Sequence, residues 1–214
     1  MRVGVLGGTF DPIHLGHVAV AKAAMECARL DRVLFVPSAQ PPHRAAAEAS
    51  AEDRLAMSRL AVDGDSRFEV SDVEVKRGGK SYTVDTLQEL HRSLPEDELF
   101  LILGWDAARL FRTWHQPEGV SALASFVIVG RPGMPPPTQA DLKLAGLDPG
   151  RVVMCLLPTP DISGSELRRA IAAGKSVAGK LPPAVEGYIA AHRIYPSRPG
   201  PEARPTSPQS GEAG

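Results

Sequence analysis

Short apolar runs alternate with longer amphipathic segments along most of the chain. Runs bounded by Gly, Pro or charged residues predict strands, and segments with apolar residues at three-to-four spacing predict helices. The predicted strands cover residues 2–8, 31–38, 67–75, 98–104, 125–130 and 151–158. The predicted helices cover residues 14–30, 51–64, 83–94, 163–174 and 182–194, with one or two short helices within 106–124.

This alternation of strands and helices predicts an α/β fold with a doubly wound parallel sheet. The first unit, residues 2–38, has the length of a βαβ crossover, which is right-handed in nearly all proteins. Ligands of such sheets bind beyond the carboxyl ends of the strands, near the point where the strand order reverses. We therefore expect a binding site just after the first strand.

One domain accounts for residues 1–196, and 214 residues are an ordinary length for a single domain with a tail. Residues 197–214 contain mainly Pro, Gly, Ser and charged residues and lack an apolar face, which predicts a disordered C-terminal tail. Residues 131–146 are rich in proline and predict a surface loop, to which we assign no role.

Composition narrows the class of partner. Lys and Arg total 24 against 25 Asp and Glu, a net charge of -1 that argues against a general nucleic-acid-binding protein. The chain lacks an apolar run of membrane-spanning length and a signal-peptide pattern, which favours a cytoplasmic protein without a membrane partner. Cys27 and Cys155 form no CxxC motif, and we expect two buried thiols in a reducing compartment.

The stretch "GGTFDPIHLGH", residues 7–17, joins the first strand to the first helix. Gly7 and Gly8 would let the backbone approach a ligand and adopt a positive φ. His14 and His17 lie three residues apart and so share one helix face, beside N–H groups that favour an anion. A plain packing or capping role and a zinc site are alternatives, but no HExxH motif or cysteine pair accompanies the histidines.

A second polar cluster opens the helix predicted at residues 163–174. Ser163 and Glu166 have the spacing of a capping box, which explains both without a function. Arg168 is not needed for capping, and its planar cation matches the oxygens of a phosphate. A solvent-facing arginine is the alternative.

Both clusters resemble signatures of the nucleotidyltransferase superfamily. "GTFDPIHLGH" is similar to its Gly-x-Phe-x-Pro-x-His-x-Gly-His element. Residues 162–168 are similar to Ile-Ser-Ser-Thr-x-x-Arg, with Gly164 in place of the second Ser and Ser165 in place of Thr. The resemblance implies a Rossmann-like nucleotidyltransferase fold, adenylyl or cytidylyl transfer, Mg²⁺ accompanying the nucleotide without dedicated protein ligands, and His14, His17 and Arg168 as catalytic residues. The implied ATP-binding residues are Gly7, Gly8, Thr9, Phe10, His14, His17, Gly104, Asp106, Ile162, Ser163, Ser165 and Arg168.

Other segments, up to about Tyr195, resemble the bacterial nicotinate-nucleotide adenylyltransferase family; they are "VPSAQPPHR", "SYTVDTL", "LGWDAARLFRTWHQ" and "LPPAVEGYIAAHRIY". The resemblance implies adenylyl transfer from ATP to nicotinate mononucleotide, two small-molecule substrates, and is compatible with a homo-oligomer. It implies that the pyridine ring stacks on Trp114, although a half-buried core Trp is the alternative, and that backbone N–H groups of Thr86 and His115 hold the carboxylate. The basic pair His43 and Arg44 suits the phosphate of the mononucleotide, with a solvated loop as the alternative.

Two rival functions remain open at this point. Another nucleotidyltransferase, of the pantetheine-phosphate adenylyltransferase or cytidylyltransferase type, would use the same phosphate motifs. A non-catalytic nucleotide-binding regulator could also use this fold, but the intact histidine pair and Arg168 favour an enzyme.

Overall fold

Six apolar runs form one parallel sheet within the part of the chain that the computed structural model describes, residues 1–41, 47–130, 133 and 135–196. The order is β3-β2-β1-β4-β5-β6, so the direction of winding reverses between β1 and β4. The strands are β1 Arg2–Gly8, β2 Arg32–Pro37, β3 Phe68–Val70, β4 Glu98–Gly104, β5 Ser125–Val129 and β6 Val152–Cys155. This confirms the predicted doubly wound sheet.

Helices connect the strands and cover both faces of the sheet. Within the described ranges they are α1 Leu15–Ala28, α2 Ala51–Val62, α3 Val73–Arg77, α4 Thr83–Ser93, α5 Trp105–Ala108, α6 Pro117–Leu123, α7 Gln139–Ala145, α8 Gly164–Ala172 and α9 Pro183–Ala191, with 3₁₀ turns at Phe111–Thr113 and Pro149–Arg151. One apolar core contains α1, α2, α8 and α9 residues, and the other contains α4, α6 and α7 residues. This two-sided burial explains why the central strands are apolar nearly throughout.

Two predicted segments are wrong in detail. The strand predicted at 67–75 ends at Val70, because β3 is an edge strand that pairs only with β2 over a short register, and residues 73–77 form α3. The loop predicted at 131–146 contains α7, whose Thr138–Asp141 capping box and Gly146 end signal are hidden within a proline-rich segment. The predicted tail, residues 197–214, lies outside the described residues.

The expectation of two separate thiols is also wrong: Cys27 of α1 and Cys155 of β6 form a disulfide, with Cα atoms 5.5 Å apart. Their separation of 128 residues gave no hint of this pairing, which follows from α1 packing over β6. Because disulfides are rare in a reducing cytoplasm, the predicted location stays a prediction. None of the helices in the described ranges is long and apolar enough to span a membrane.

Reducing this disulfide is expected to lower the stability of the fold. A cross-link closing a loop of this length removes about 5 kcal/mol of unfolded-state entropy in the chain-entropy model. The midpoint of thermal unfolding should therefore fall by more than about 10 °C in dithiothreitol. A Cys27→Ser, Cys155→Ser variant is the control, because its midpoint should be low and insensitive to the reductant. An insensitive wild-type protein would contradict the prediction.

Candidate active site

The predicted nucleotide residues meet at the reversal point of the sheet. Pairing between β1 and β4 extends only from Arg2–Glu98 to Val5–Leu101, so the two strands are no longer paired where they end at Gly8 and Gly104. Gly104 is exposed there and precedes α5, whose first turn carries Asp106. The carboxyl ends of both strands therefore border one opening in the sheet, as expected for a ligand site.

The two histidines form a stacked pair at the start of α1. Their ring centroids lie 3.7 Å apart with an interplanar angle of 21°. The Nδ1 atom of His17 accepts a hydrogen bond from the His14 backbone N–H at 3.3 Å. In its neutral form His17 therefore carries its proton on Nε2, which makes this nitrogen a hydrogen-bond donor. The rings of Phe10 and His17 pack in a T-shaped contact, at 5.0 Å between centroids.

His14 is buried, with only 6% of its surface exposed, and its Nδ1 atom has no hydrogen-bond partner among the residues that the structure describes. A Cβ atom on Gly16 would lie 2.9 Å from this nitrogen, so glycine is needed for the close approach. Burial lowers the pKa of His14 from 6.5 to about 4. Near neutral pH His14 is therefore a neutral imidazole, whereas an adjacent anion would favour the cation.

The buried His14 predicts a loss of stability in acid. An unfolded chain protonates this imidazole below pH 6.5, whereas the folded protein keeps it neutral until about pH 4. Stability is therefore lost as the pH falls through this window, by about 2 kcal/mol between pH 7 and pH 5. Urea unfolding of the wild type and of His14→Gln at both values tests this, since the variant should lack this share of the decrease. Parallel decreases in the two proteins would refute it.

The glycine turn differs from the expectation. Gly7 and Gly8 are the last residues of β1, and the positive φ falls instead on Phe10, at 50°. A Cβ atom on Gly8 would lie 2.6 Å from the Phe10 ring, whereas a Cβ atom on Gly7 would meet open space. Gly8 thus makes room for the Phe10 ring, which is buried, and a nucleotide contact at Phe10 would come from its backbone.

The first helix offers fewer free N–H groups than expected, because the Leu15 N–H donates to the Lys180 carbonyl at 2.9 Å. Pro160, just before the second motif, and Gly164 within it lie close to the first motif. The Pro160 carbonyl lies 3.3 Å from the position of a Cβ atom on Gly16, and the Asp11 carbonyl lies 3.4 Å from that on Gly164. The two motifs therefore adjoin, as predicted.

Arg168 lies against the turn that precedes the histidines. Its Nη1 donates to the Asp11 carbonyl at 2.7 Å, and its Nε donates to Glu48 Oε1 at 2.8 Å. The same Nη1 lies 3.7 Å from Asp11 Oδ2. The carboxylates of Glu48 and Asp11 therefore partly neutralise the guanidinium, a feature that the sequence motif did not indicate.

The capping box predicted for Ser163 and Glu166 does not form within the described structure. Ser163 stands at the N-cap of α8 without a capping hydrogen bond from its side chain, and its hydroxyl lies 3.0 Å from that of Ser165. Ser165 is exposed beside this helix opening, and Ile162 packs on the core. The two hydroxyls pair with each other instead of closing the first turn of the helix.

Two of the residues predicted for the acceptor, Thr86 and His115, lie near the start of α4. Tyr82 is the N-cap of this helix, and its ring lies 4.3 Å from that of His115. The Thr86 N–H donates to the Tyr82 carbonyl at 3.3 Å, so a carboxylate would share this donor or use N–H groups one turn earlier. Trp114 is half-buried and packs on Phe111 at 5.6 Å between centroids. His43 and Arg44 lie outside the described residues.

Asp11 is a site residue that sequence reasoning missed. Its carboxylate accepts hydrogen bonds from the N–H groups of Glu48 and Ala49, at 2.8 and 3.1 Å, and from the Tyr195 hydroxyl at 2.7 Å. Burial and this hydrogen bond raise the pKa of Tyr195. Asp11 lies within the first motif as a charged residue between Phe10 and Pro12, and this position was a signal that the sequence offered. Tyr195, just before the predicted tail, carried none.

Comparison with known proteins places the chain in a family. Residues 5–170 match the family model described as cytidylyltransferase-like. The probable nicotinate-nucleotide adenylyltransferase of Thermus thermophilus is 48% identical over 195 residues, covering 91% of this chain and 100% of that relative. The chain belongs to the nicotinate-nucleotide adenylyltransferase family. The probable nicotinate-nucleotide adenylyltransferase of Synechococcus sp. is 40% identical to this chain, and the match covers 91% of this chain and 94% of that relative.

A solved structure supports the fold independently. Plasmodium falciparum nicotinic acid mononucleotide adenylyltransferase complexed with NaAD matches 91% of this chain and 97% of its own, with a TM-score of 0.73. The two sequences are 18% identical, so this similarity concerns the fold alone. It agrees with the doubly wound sheet that the alternating pattern predicted.

Proposed function

We propose that residues 1–196 form a domain that transfers the adenylyl group of ATP to nicotinate mononucleotide, giving nicotinate adenine dinucleotide and pyrophosphate. The observation that carries this proposal is the joining of the two phosphate motifs in a member of this family. Arg168 of the second motif donates to Asp11 of the first, three residues before His14. Of the residues proposed for the acceptor, Thr86 lies in α4 and His115 packs against Tyr82, the N-cap of this helix.

The chemistry needs positioning more than a strong base. A phosphate oxygen of the mononucleotide forms a bond to the α-phosphorus of ATP, the bond from that phosphorus to the bridging oxygen breaks, and pyrophosphate leaves. The attacking phosphate is already an anion near neutral pH, so the main obstacle is repulsion between substrates. Two unit charges about 4 Å apart repel by about 4 kcal/mol at an effective dielectric of 20. Donors from His14, His17 and Arg168 would offset this repulsion.

Mg²⁺ would accompany the nucleotide. No cluster of three or more His, Cys, Asp or Glu side chains within residues 1–41, 47–130, 133 and 135–196 is arranged to hold a metal ion. An ion of this kind would keep most of its waters and bind mainly to the substrate phosphates. When bound, the ion would neutralise charge on the phosphates.

The test is a comparison of acceptors. Pyrophosphate release from ATP is measured with nicotinate mononucleotide, nicotinamide mononucleotide and phosphopantetheine offered separately. Release with the nicotinate compound at a kcat/KM at least tenfold above the others is expected. Preference for phosphopantetheine would support the related adenylyltransferase instead, and no release with any acceptor, despite ATP binding, would favour a nucleotide-binding regulator.

Trp114→Ala should separate the two substrates. Loss of a stacking face is worth about 1 kcal/mol or more, so the KM for the mononucleotide should rise at least fivefold while that for ATP changes little. Trp105→Ala is the matched control, because Trp105 is also half-buried and packs against the same core as Trp114, but the resemblance implies no substrate contact for it. Equal changes in both KM values for Trp114→Ala would rule out the stacking role.

A further inference from the structure

Arg54 of α2 is the largest fully buried side chain in the described structure, with 1% of its surface exposed. Its guanidinium donates to four backbone carbonyls: Nη1 to Thr9 at 2.7 Å and Ser38 at 2.6 Å, Nη2 to Ala39 at 3.1 Å, and Nε to Ala49 at 3.3 Å. A planar cation with five donors can hold several carbonyls in fixed directions, which lysine cannot do.

These carbonyls belong to segments with different tasks. Thr9 follows β1 and lies in the segment between β1 and α1, residues 9–14, which we call the nucleotide loop. Ser38 and Ala39 follow β2 and begin the segment between β2 and α2. Because β1 and β2 are neighbouring parallel strands, both segments leave the same edge of the sheet. One side chain thus fixes the spacing between the two loops.

The same hydrogen-bond chain continues to the acceptor side. The Ala39 N–H donates to the Ser81 hydroxyl at 2.9 Å, and Gln40 forms an isolated bridge with Lys80. The Ser81 N–H in turn donates to the Gln40 carbonyl at 2.9 Å, and Ser81 immediately precedes Tyr82, the N-cap of α4. Further along this helix the Thr86 hydroxyl donates to the buried carboxyl group of Glu74 at 2.6 Å. Hydrogen bonds therefore connect the nucleotide loop to the first turns of α4.

A buried arginine is a costly way to stabilise a fold, because desolvation of its charge must be offset. Burial lowers the pKa of Arg54, and the carboxylate of Asp11 is the first of the charges that oppose this shift. An apolar side chain could fill this volume, but it would leave four carbonyls without their donor. The location of these carbonyls, at the edge where both substrates are expected, gives the arginine a role beyond packing.

We propose that Arg54 is a positioning residue that sets the distance between the nucleotide loop and the acceptor half-site, by which we mean Thr86 and His115 at the start of α4. The proposal rests on the proposed function and adds a residue to it. Arg54 acts through the backbone at Thr9 and Ala39 without touching either substrate. Its removal should therefore weaken the binding of both substrates and also slow the chemical step.

The test compares Arg54→Lys with Met57→Val. Met57 lies on the same helix and is fully buried in the core, so its variant lowers stability without touching these carbonyls. We expect Arg54→Lys to reduce kcat at least tenfold and to raise both KM values at least threefold. At a comparable loss of thermal stability, Met57→Val should keep wild-type KM values. Unchanged KM values for folded Arg54→Lys would overturn the proposal.

Two further measurements keep the proposal separate from the proposed function and from a failure to fold. Calorimetric titration with ATP does not depend on turnover, and Arg54→Lys should weaken ATP binding whichever acceptor is used. If Arg54→Lys does not fold, Ser81→Ala interrupts the chain at its far end, and the KM for the mononucleotide should rise at least threefold with that for ATP unchanged. Wild-type constants for Ser81→Ala would contradict the proposal.

Discussion

Turnover of the His17→Ala variant is expected to fall by about 10²–10³-fold, the usual effect of removing one donor from a site that stabilises developing negative charge. His17 Nδ1 is occupied by the His14 N–H, which orients the ring and leaves the proton on Nε2. The same hydrogen bond caps α1, so the free energy of unfolding should fall by only about 1 kcal/mol. Initial rates of pyrophosphate release and urea unfolding measure the two effects.

The control for this variant is His91→Ala. His91 is an exposed histidine in the last turn of α4, far along the helix from Tyr82, and its removal should leave turnover within twofold of the wild type. A His17→Ala enzyme with near-normal turnover would remove His17 from the catalytic residues. A large loss of stability with proportionate loss of turnover would assign it a structural role instead.

Asp11→Ala should produce a large loss of stability. The change leaves the N–H groups of Glu48 and Ala49 and the Tyr195 hydroxyl without their acceptor, and it also removes a carboxylate 3.7 Å from Arg168. Unpaired buried groups cost about 1–3 kcal/mol each, and part of this cost is relieved by water, so we expect a loss of about 3–5 kcal/mol. Chemical denaturation at pH 7 measures it.

Tyr195→Phe provides a graded comparison, since it removes one of the three donors and leaves the carboxylate with its two backbone partners. Its expected cost is about 1 kcal/mol. A loss under 1 kcal/mol for Asp11→Ala would show that the three hydrogen bonds are exchanged for water at little cost. The joining of the two motifs would then depend on Arg168 and the Asp11 carbonyl alone.

The sheet was predictable because its central strands are buried on both faces and so have continuous apolar runs. β1 and β4 match their predicted bounds. The edge strand β3 did not, because the alternating pattern of residues 67–75 does not encode where pairing with β2 ends. Likewise, nothing in the sequence indicated that Cys27 and Cys155 would be neighbours, since this depends on how α1 packs over β6.

The candidate site likewise has a part that the sequence predicted and a part that it did not. The resemblance to nucleotidyltransferase signatures implied that His14, His17 and Arg168 would act together, and the structure brings the segments that carry them into contact. The residues that hold this region in place were not predictable from a pattern. Arg54 lies in a helix whose polar residues are not confined to one face, so its burial follows only from the carbonyls of neighbouring loops.

The hydrogen bond from Tyr195 to Asp11 joins residues 184 positions apart, nearly the full length of the described chain. During synthesis the first motif leaves the ribosome long before Tyr195 is added, because chains grow from the N-terminus. A nascent chain therefore lacks this hydrogen bond to its first motif until Tyr195 has been added. Products truncated before Tyr195 are accordingly expected to lose at least the contribution that Tyr195→Phe removes, about 1 kcal/mol, from the segment around Asp11.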